Sequence, residues 1–289
     1  YASNMNNLWD ALDEDNFNFV KGDICDADFL EDLHNNRHFT DIIHLAAESH
    51  VDNSHEAALL FADTNIIGTI NLLNLFRTFD NPGRFYQVST DEVYGSLKIN
   101  SHDRFDEKSS YDPHNIYSAS KASADHFVRS YQNTFDIDVV LSNCSNNYGP
   151  HQHAEKLIPN SIKSLINKTA INIYGTGENV RDWLHVNDHA RAIDTIFHKG
   201  KTGETYLIGS DNEWSNIDLA KELCAVYDEI NDNPLQESEK LITFVKDRPG
   251  HDARYGINYL KLRRELGWKP TKTFFEGMRE TVQWYIDNK

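Results

Sequence analysis

Between residues 17 and 143, four short apolar runs alternate with three stretches of helical periodicity, and no other feature narrows the fold as much. Residues 17–24 read as a strand closed by Gly22-Asp23, and 28–35 as a helix with Phe29, Leu30 and Leu33 at helical spacing. A second strand, 41–47, leads into helical character over about 55–79, where Ala58, Leu59, Ala62, Ile66, Ile70 and Leu73 form one stripe. Asn81-Pro82-Gly83 then turns the chain into a third strand, 85–88, followed by a helix at 115–135 and a strand at 137–143. Strand and helix in strict alternation build an α/β, doubly wound parallel sheet with helices on both faces. In such a sheet the carboxyl ends of the strands face the ligand crevice, so chemistry is sought there.

The third run leads directly into Ser89-Thr90-Asp91-Glu92-Val93-Tyr94-Gly95, which sets two adjacent carboxylates beside hydroxyls where a buried strand ends. Neighbouring residues on a straight strand point to opposite faces, so Asp91 and Glu92 reach one substrate only if the chain turns, as Gly95 suggests. Two carboxylates in one cleft can differ in protonation, the more desolvated one serving as acid and the other as base. The plainer alternative is a solvated acidic loop. Tyr117 and Lys121, four residues apart, share a helix face. A phenol titrates near ~10 and becomes a base at neutral pH only beside a cation, which Lys121 could supply. By itself this spacing describes an ordinary surface pair; its place after the acidic turn makes it a candidate.

After Tyr148-Gly149-Pro150 the pattern loosens. Residues 157–168, 187–198 and 215–228 read as helices, the last with Ser215 as N-cap, while 171–174, 206–208 and 241–245 read as strands. A polar loop, 247–254, precedes two closing helices. The organisation expected is a nucleotide-binding lobe at 1–150 interleaved with a smaller lobe at 151–289, with the ligand cleft between them. Lys156, Arg181, Arg248, His251 and Arg254 could converge on a diphosphate, for which Arg is well suited, or could be separate surface charges. The histidines show no metal-ligand spacing with a carboxylate in register, so no metal is expected. Gly175-Thr176-Gly177 reads as a turn.

With 45 acidic residues against 28 basic and a net charge of −17, the chain opposes non-specific binding to nucleic acid or anionic membrane. Cys25, Cys144 and Cys224 are far apart and odd in number, which favours a reduced, cytoplasmic setting over secretion. The apolar runs read as strand-length, none long enough to span a bilayer.

The motifs together resemble the dTDP-glucose 4,6-dehydratase family of the extended short-chain dehydrogenases/reductases. The resemblance rests on HLAAESHVD at 44–52, STDEVYG at 89–95, YSASKASAD at 117–125, SNCSNNYGP at 142–150, EKLIP at 155–159, RDWLHVNDH at 181–189 and DRPGHDARY at 247–255. This ordered series covers nearly the whole chain. It implies a Rossmann-like fold, NAD retained through the cycle, a nucleotide-diphospho-glucose substrate and a homodimer paired through the helices at about 55–79 and 116–135. Tyr117, assisted by Lys121, would take the C4 hydroxyl proton as hydride passes to NAD. Glu92 would remove the acidified C5 proton, Asp91 would protonate the departing C6 hydroxyl, and Thr90 would bond near the C4 oxygen. Hydride returned to C6 gives a 4-keto-6-deoxy sugar. By the same matching, Asp23 and Ile24 would sit at the adenine, Leu45, Ala46, Ala47, Thr64 and Ser89 along the cofactor, and Cys144 and Asn146 near the nicotinamide. Ser49, Asn147, Lys156, Leu157, Arg181, Asp247 and His251 would contact the nucleotide-sugar.

The chain departs from the family at Asn53, often Arg, and at Ala154, often Pro. Nothing before Phe17 supplies the first strand and the glycine-rich turn over a pyrophosphate, so the expectation is either a fragment of a longer protein or a chain lacking its first βαβ unit. Two rival readings follow. Another NAD-dependent nucleotide-sugar epimerase or decarboxylase would use Tyr117 and Lys121, but a 4-epimerase has no use for Asp91-Glu92. A truncated, inactive nucleotide-sugar binding module need not hold NAD.

Overall fold

The computed structural model describes residues 2–288; Tyr1, where the expected first lobe begins, and Lys289, where the second ends, lie outside the described residues. Strands β1 (Ile42–His44), β2 (Phe85–Thr90) and β3 (Val139–Cys144) run parallel in that order. Three further strands follow, β4 (Asn146–Tyr148), β5 (Ile171–Tyr174) and β6 (Val180–His185), before β7 (Thr205–Ile208) returns to pair parallel with β3. Together β1-β2-β3-β7 form a four-stranded sheet whose last strand comes from the second half of the chain. With β8 (Glu213–Ser215) and β9 (Ile242–Val245), two small sheets are completed, β4-β6-β8 and β5-β9.

The period of two along β2 and β3 sorts side chains to the two faces of the main sheet. Phe85, Val139 and Leu141 pack with Leu30, Leu73 and Phe76 from the helices Ala27–Arg37 and Gly68–Phe76. Tyr86 and Val140 point the other way, onto Ala192 and Ile196 of the helix Val186–Lys199 and Leu262 of Leu260–Leu266. Both faces are covered, as a parallel sheet requires. A separate core joins Ile171 and Ile173 of β5 to the helices Leu157–Asn167, Asn216–Ile230 and Phe274–Asp287. Ser215 caps the second of these, accepting from the Asp218 N–H.

The structure corrects several expectations. Residues 17–24 form no strand: Phe19 and Val20 are exposed, and no described strand lies beside them to complete a ladder. The helix expected at 55–79 starts earlier, as Val51–Glu56, and breaks at Ala57. It resumes as Ala58–Ala62, widens into a π turn at Asp63–Ile67 and runs on as Gly68–Phe76. The π turn directs Asn65 inward, where its amide donates to Ser120 Oγ at 2.8 Å and accepts from the Glu48 N–H at 2.8 Å. Polar residues interrupt the run in sequence, yet Ala58–Phe76 is by length and composition one 19-residue helix long and apolar enough to cross a membrane. Phe61, Leu72, Leu73 and Phe76 on that helix are buried in the protein's own core. Strands β4, β6 and β8 have no counterpart in the sequence reading, because Asn146, Asn147, Arg181 and Asp182 supply no apolar alternation.

Candidate active site

β2 ends at Thr90, and the next four residues, Asp91–Tyr94, wind into one 3-10 turn. The Thr90 hydroxyl accepts from the Glu92 N–H at 3.3 Å and so caps that turn. Gly95 closes it at φ +80°, ψ −146°, a conformation essentially confined to glycine. A Cβ there would stand 2.4 Å from the Asp112 carbonyl oxygen. The turn brings Asp91 and Glu92 to one region at the carboxyl end of the sheet.

The two carboxylates meet different surroundings. Asp91 is 2% exposed, and its Oδ2 has no hydrogen-bond partner. Burial, then the charges of Glu92 and Asp182, raise its pKa well above the ordinary carboxylate value, against a smaller lowering by Arg181 and the Thr90 hydroxyl. Loss of water thus favours the protonated form of Asp91 over the carboxylate. Glu92 is half-buried and accepts from Asn115 Nδ2 at 3.2 Å. Asn115 is also the N-cap of the helix Ile116–Phe135, in a reciprocal capping box with Ser118, so one residue starts the helix and holds the carboxylate.

Tyr117 lies in the first turn of that helix, half-buried, within reach of the Thr90 hydroxyl. Lys121 is buried on the same helix, but its ammonium donates to the Val88 carbonyl at 2.9 Å. Burial, then Glu92 and Cys144, raise the Tyr117 pKa, and the Thr90 hydroxyl is the group that opposes them. Burial also lowers the Lys121 pKa, while Asp125 acts the other way.

Asp125, Asn115 and His189 were not singled out in the sequence. Fully buried Asp125 accepts from Ser89 Oγ and Tyr111 OH at 2.8 Å each. Its signal was its spacing, four residues beyond Lys121 on one helix face. His189, its pKa pushed down by burial to about 4, lies 2.9 Å from Asn147 Oδ1 through Nδ1. The Asn147 amide in turn reaches the Ser145 carbonyl at 3.0 Å and Cys144 Sγ at 3.5 Å. Cys144 ends β3, and burial pushes its thiol up to about 12.

The remaining sequence candidates fall into two groups. Leu45, Ala46 and Ala47 follow β1 at the carboxyl end of the main sheet, with Leu45 exposed, and Asn146 Oδ1 on β4 is buried without a partner. Asp23 accepts from the Cys25 N–H, Ile24 packs against Gly68, and Thr64 lies in the π turn, next to Asp63, whose carbonyl accepts from the Cys25 thiol at 3.3 Å. In the second group, Lys156 donates to the Ser49 carbonyl at 2.9 Å, and Leu157 opens the adjoining helix. Arg181 is 4% exposed and its charge acts on Asp91, Tyr255 and His251. His251 Nδ1 lies 2.7 Å from Asp247 Oδ1, and Arg248 is the largest charge acting on His251. The charges of Arg248 and Arg181 thus both act on His251. Arg254 does not join them: its guanidinium is held by Glu213 at 2.6 Å and the Asp103 carbonyl at 3.0 Å.

The family model described as GDP-mannose 4,6 dehydratase matches residues 1–281. The dTDP-glucose 4,6-dehydratase of Neisseria gonorrhoeae is 46% identical over 300 residues, covering 100% of this chain and 86% of the relative. The crystal structure of dTDP-glucose 4,6-dehydratase from Bacillus anthracis in complex with NAD is 41% identical with TM-score 0.87, covering 99% of this chain and 85% of that one. The enzyme of the same name from Streptomyces venezuelae, crystallised with NAD, is 39% identical with TM-score 0.90, covering 99% and 84%.

Proposed function

From the premise that the chain belongs to the GDP-mannose 4,6 dehydratase family, we propose that it is an NAD-dependent dTDP-glucose 4,6-dehydratase, a hydro-lyase forming dTDP-4-keto-6-deoxyglucose for deoxysugar synthesis. The observation that carries this reading is the buried Asp91, its pKa raised by burial, next to Glu92, with the charges of both acting on Tyr117. An acid and a base so close together suit removal of water across C5 and C6, and a 4-epimerase has no step that uses them.

Leu45 exposed at the carboxyl end of β1 offers an apolar surface, and the unpartnered Asn146 Oδ1 beyond β3 a hydrogen-bond acceptor, both of which suit a nicotinamide cofactor. Leu45, Ala46, Ala47, Thr64, Ser89, Cys144 and Asn146 would hold NAD, with Asp23 and Ile24 toward its adenine. Held there, NAD would supply the hydride acceptor for C4 and the hydride donor for C6. Tyr117 takes the C4 hydroxyl proton, with the Thr90 hydroxyl bonding near the C4 oxygen. Burial opposes the phenolate, and Lys121, four residues along the same helix, is the cation that would assist Tyr117 in this step. Glu92, oriented by the Asn115 amide, removes the C5 proton. Asp91 gives its proton to the C6 hydroxyl as water departs. Ser49, Asn147, Lys156, Leu157, Arg181, Asp247 and His251 bind the nucleotide-sugar, Arg181 and His251 on the diphosphate side.

The lobe at 1–150 carries the cofactor and the lobe at 151–289 mainly the nucleotide-sugar, the two being interleaved. Leu59, Leu60 and Ile67 on one helix run and Phe127 on Ile116–Phe135 are exposed apolar side chains, which supports a homodimer joined through these helices. The three cysteines are free thiols, consistent with the cytoplasm.

Purified protein incubated with dTDP-glucose, with and without added NAD, should form a 4-keto-6-deoxy product detected by its absorbance in alkali. Turnover without added NAD means that the cofactor travels with the protein. A folded protein that forms no product under either condition refutes the assignment.

A further inference from the structure

His114 stands two residues before the helix Ile116–Phe135, and both of its ring nitrogens face carboxylates. Nδ1 lies 2.6 Å from Asp252 Oδ1, and Nε2 lies 3.3 Å from Asp112 Oδ2. Carboxylates only accept, so both nitrogens donate, and imidazolium is the form that satisfies both contacts. The Asp252 side chain is 1% exposed, and its other oxygen accepts the Tyr255 hydroxyl at 2.6 Å. Its backbone carbonyl accepts from Arg181 at 2.9 Å, and the Arg181 guanidinium lies 4.1 Å from the centre of the Tyr255 ring.

On its other side His114 adjoins Asn115, which holds Glu92. Contacts therefore run from Glu92 through Asn115 and His114 to Asp252, Tyr255 and Arg181. The 247–254 segment rests against this junction closely enough that a Cβ on Gly250 would stand 3.2 Å from the His114 carbonyl. A cavity of about 360 Å³ beside it is lined by His55, His114, Asn115 and Gly250 among others.

We propose that His114 is a positioning residue for the nucleotide-sugar: as an imidazolium bridging Asp112 and Asp252, it clasps the 247–254 segment against the start of the Ile116–Phe135 helix. Substrate affinity then depends on the charge of His114. This rests on the reading that Arg181, Asp247 and His251 bind the nucleotide-sugar. The groups facing the imidazole are Asp112 on its own segment, Asp252 and Tyr255 opposite, Arg181 of β6 behind them and His55 across the cavity. The hydrogen bond to Asp252 is the largest influence and raises the His114 pKa above its ordinary 6.5. The clasp is complete below about pH 6.5 and is lost as pH rises through the raised value.

The test measures kcat and KM for dTDP-glucose across pH in the holoenzyme, together with amide hydrogen exchange of residues 247–254 without substrate. His114→Ala should raise KM about 3- to 10-fold at mildly acidic pH, with kcat held within about twofold, and should speed exchange in that segment. Wild-type KM should climb as the imidazolium titrates. That climb should be absent in His114→Ala and in His114→Gln, whose neutral donor should restore part of the affinity. Unchanged KM and exchange in His114→Ala, or a fall in kcat alone, would overturn the proposal. If the wild type does not turn over dTDP-glucose, the assigned function fails, and the exchange measurement still decides whether His114 clasps the segment.

Discussion

Asp91 and Glu92 are adjacent in the chain, but what separates their chemistry is one side chain's surroundings. Asp91 has lost water without gaining a cation close enough to compensate, so its proton stays on. Glu92 has an amide donor from Asn115 and partial access to solvent. Substitution should split the reaction between them. Asp91→Asn should keep exchange of the C5 hydrogen with solvent while slowing loss of water by about 10²- to 10⁴-fold, and Glu92→Gln should suppress the exchange itself. Deuterium uptake from heavy water, measured beside product formation, distinguishes the two; equal uptake in wild type and Glu92→Gln would exclude Glu92 as base. The raised Asp91 pKa also sets a direction in pH. The acid is present below that value and lost above it, so kcat should fall on the alkaline side, and the residual activity of Asp91→Asn should lack that limb.

At the scale of elements, the pair reaches one cleft because β2 stops being a strand at Thr90. A strand continued through Glu92 would send the two carboxylates to opposite faces. The 3-10 turn removes that alternation, and Gly95 permits the turn. Gly95→Ala should destabilise the protein by at least about 1–3 kcal/mol from backbone strain alone. The added methyl would also meet the Asp112 carbonyl, which cannot yield as a flexible side chain would. Thermal unfolding should report a lower Tm together with a loss of turnover; an unchanged Tm would mean that the turn does not need this glycine. The π turn at Asp63–Ile67 plays a comparable part in its helix, since it points Asn65 across to Ser120 on the helix that carries Tyr117 and Lys121.

For the molecule as a whole, the helices of the expected dimer face explain how Ala58–Phe76 can be apolar enough for a membrane and still belong to a globular core. One side buries Phe61, Leu73 and Phe76, while the other presents Leu59, Leu60 and Ile67. Leu59→Glu combined with Phe127→Glu should convert a dimer into a folded monomer, read by light scattering and circular dichroism; a wild type that sediments as a monomer would refute that interface. From residue 41 onward the alternation of strand and helix, the Tyr117–Lys121 spacing, the acidic turn ending at Gly95 and the Ser215 cap were all legible in the sequence. Each depends on residues within about four positions of one another or on a simple period. The three polar strands were not legible, nor was the break at Ala57, the turning of Lys121 toward Val88, or the division of the basic residues between Arg181 with His251 and Arg254 with Glu213. Whether a polar side chain can be buried depends on partners supplied from elsewhere. Asn115 finds Glu92 across 23 positions, and His114 finds Asp252 across 138. Such contacts leave no periodic trace, because burying a polar or charged group is tolerable only once folding has brought its partner to it.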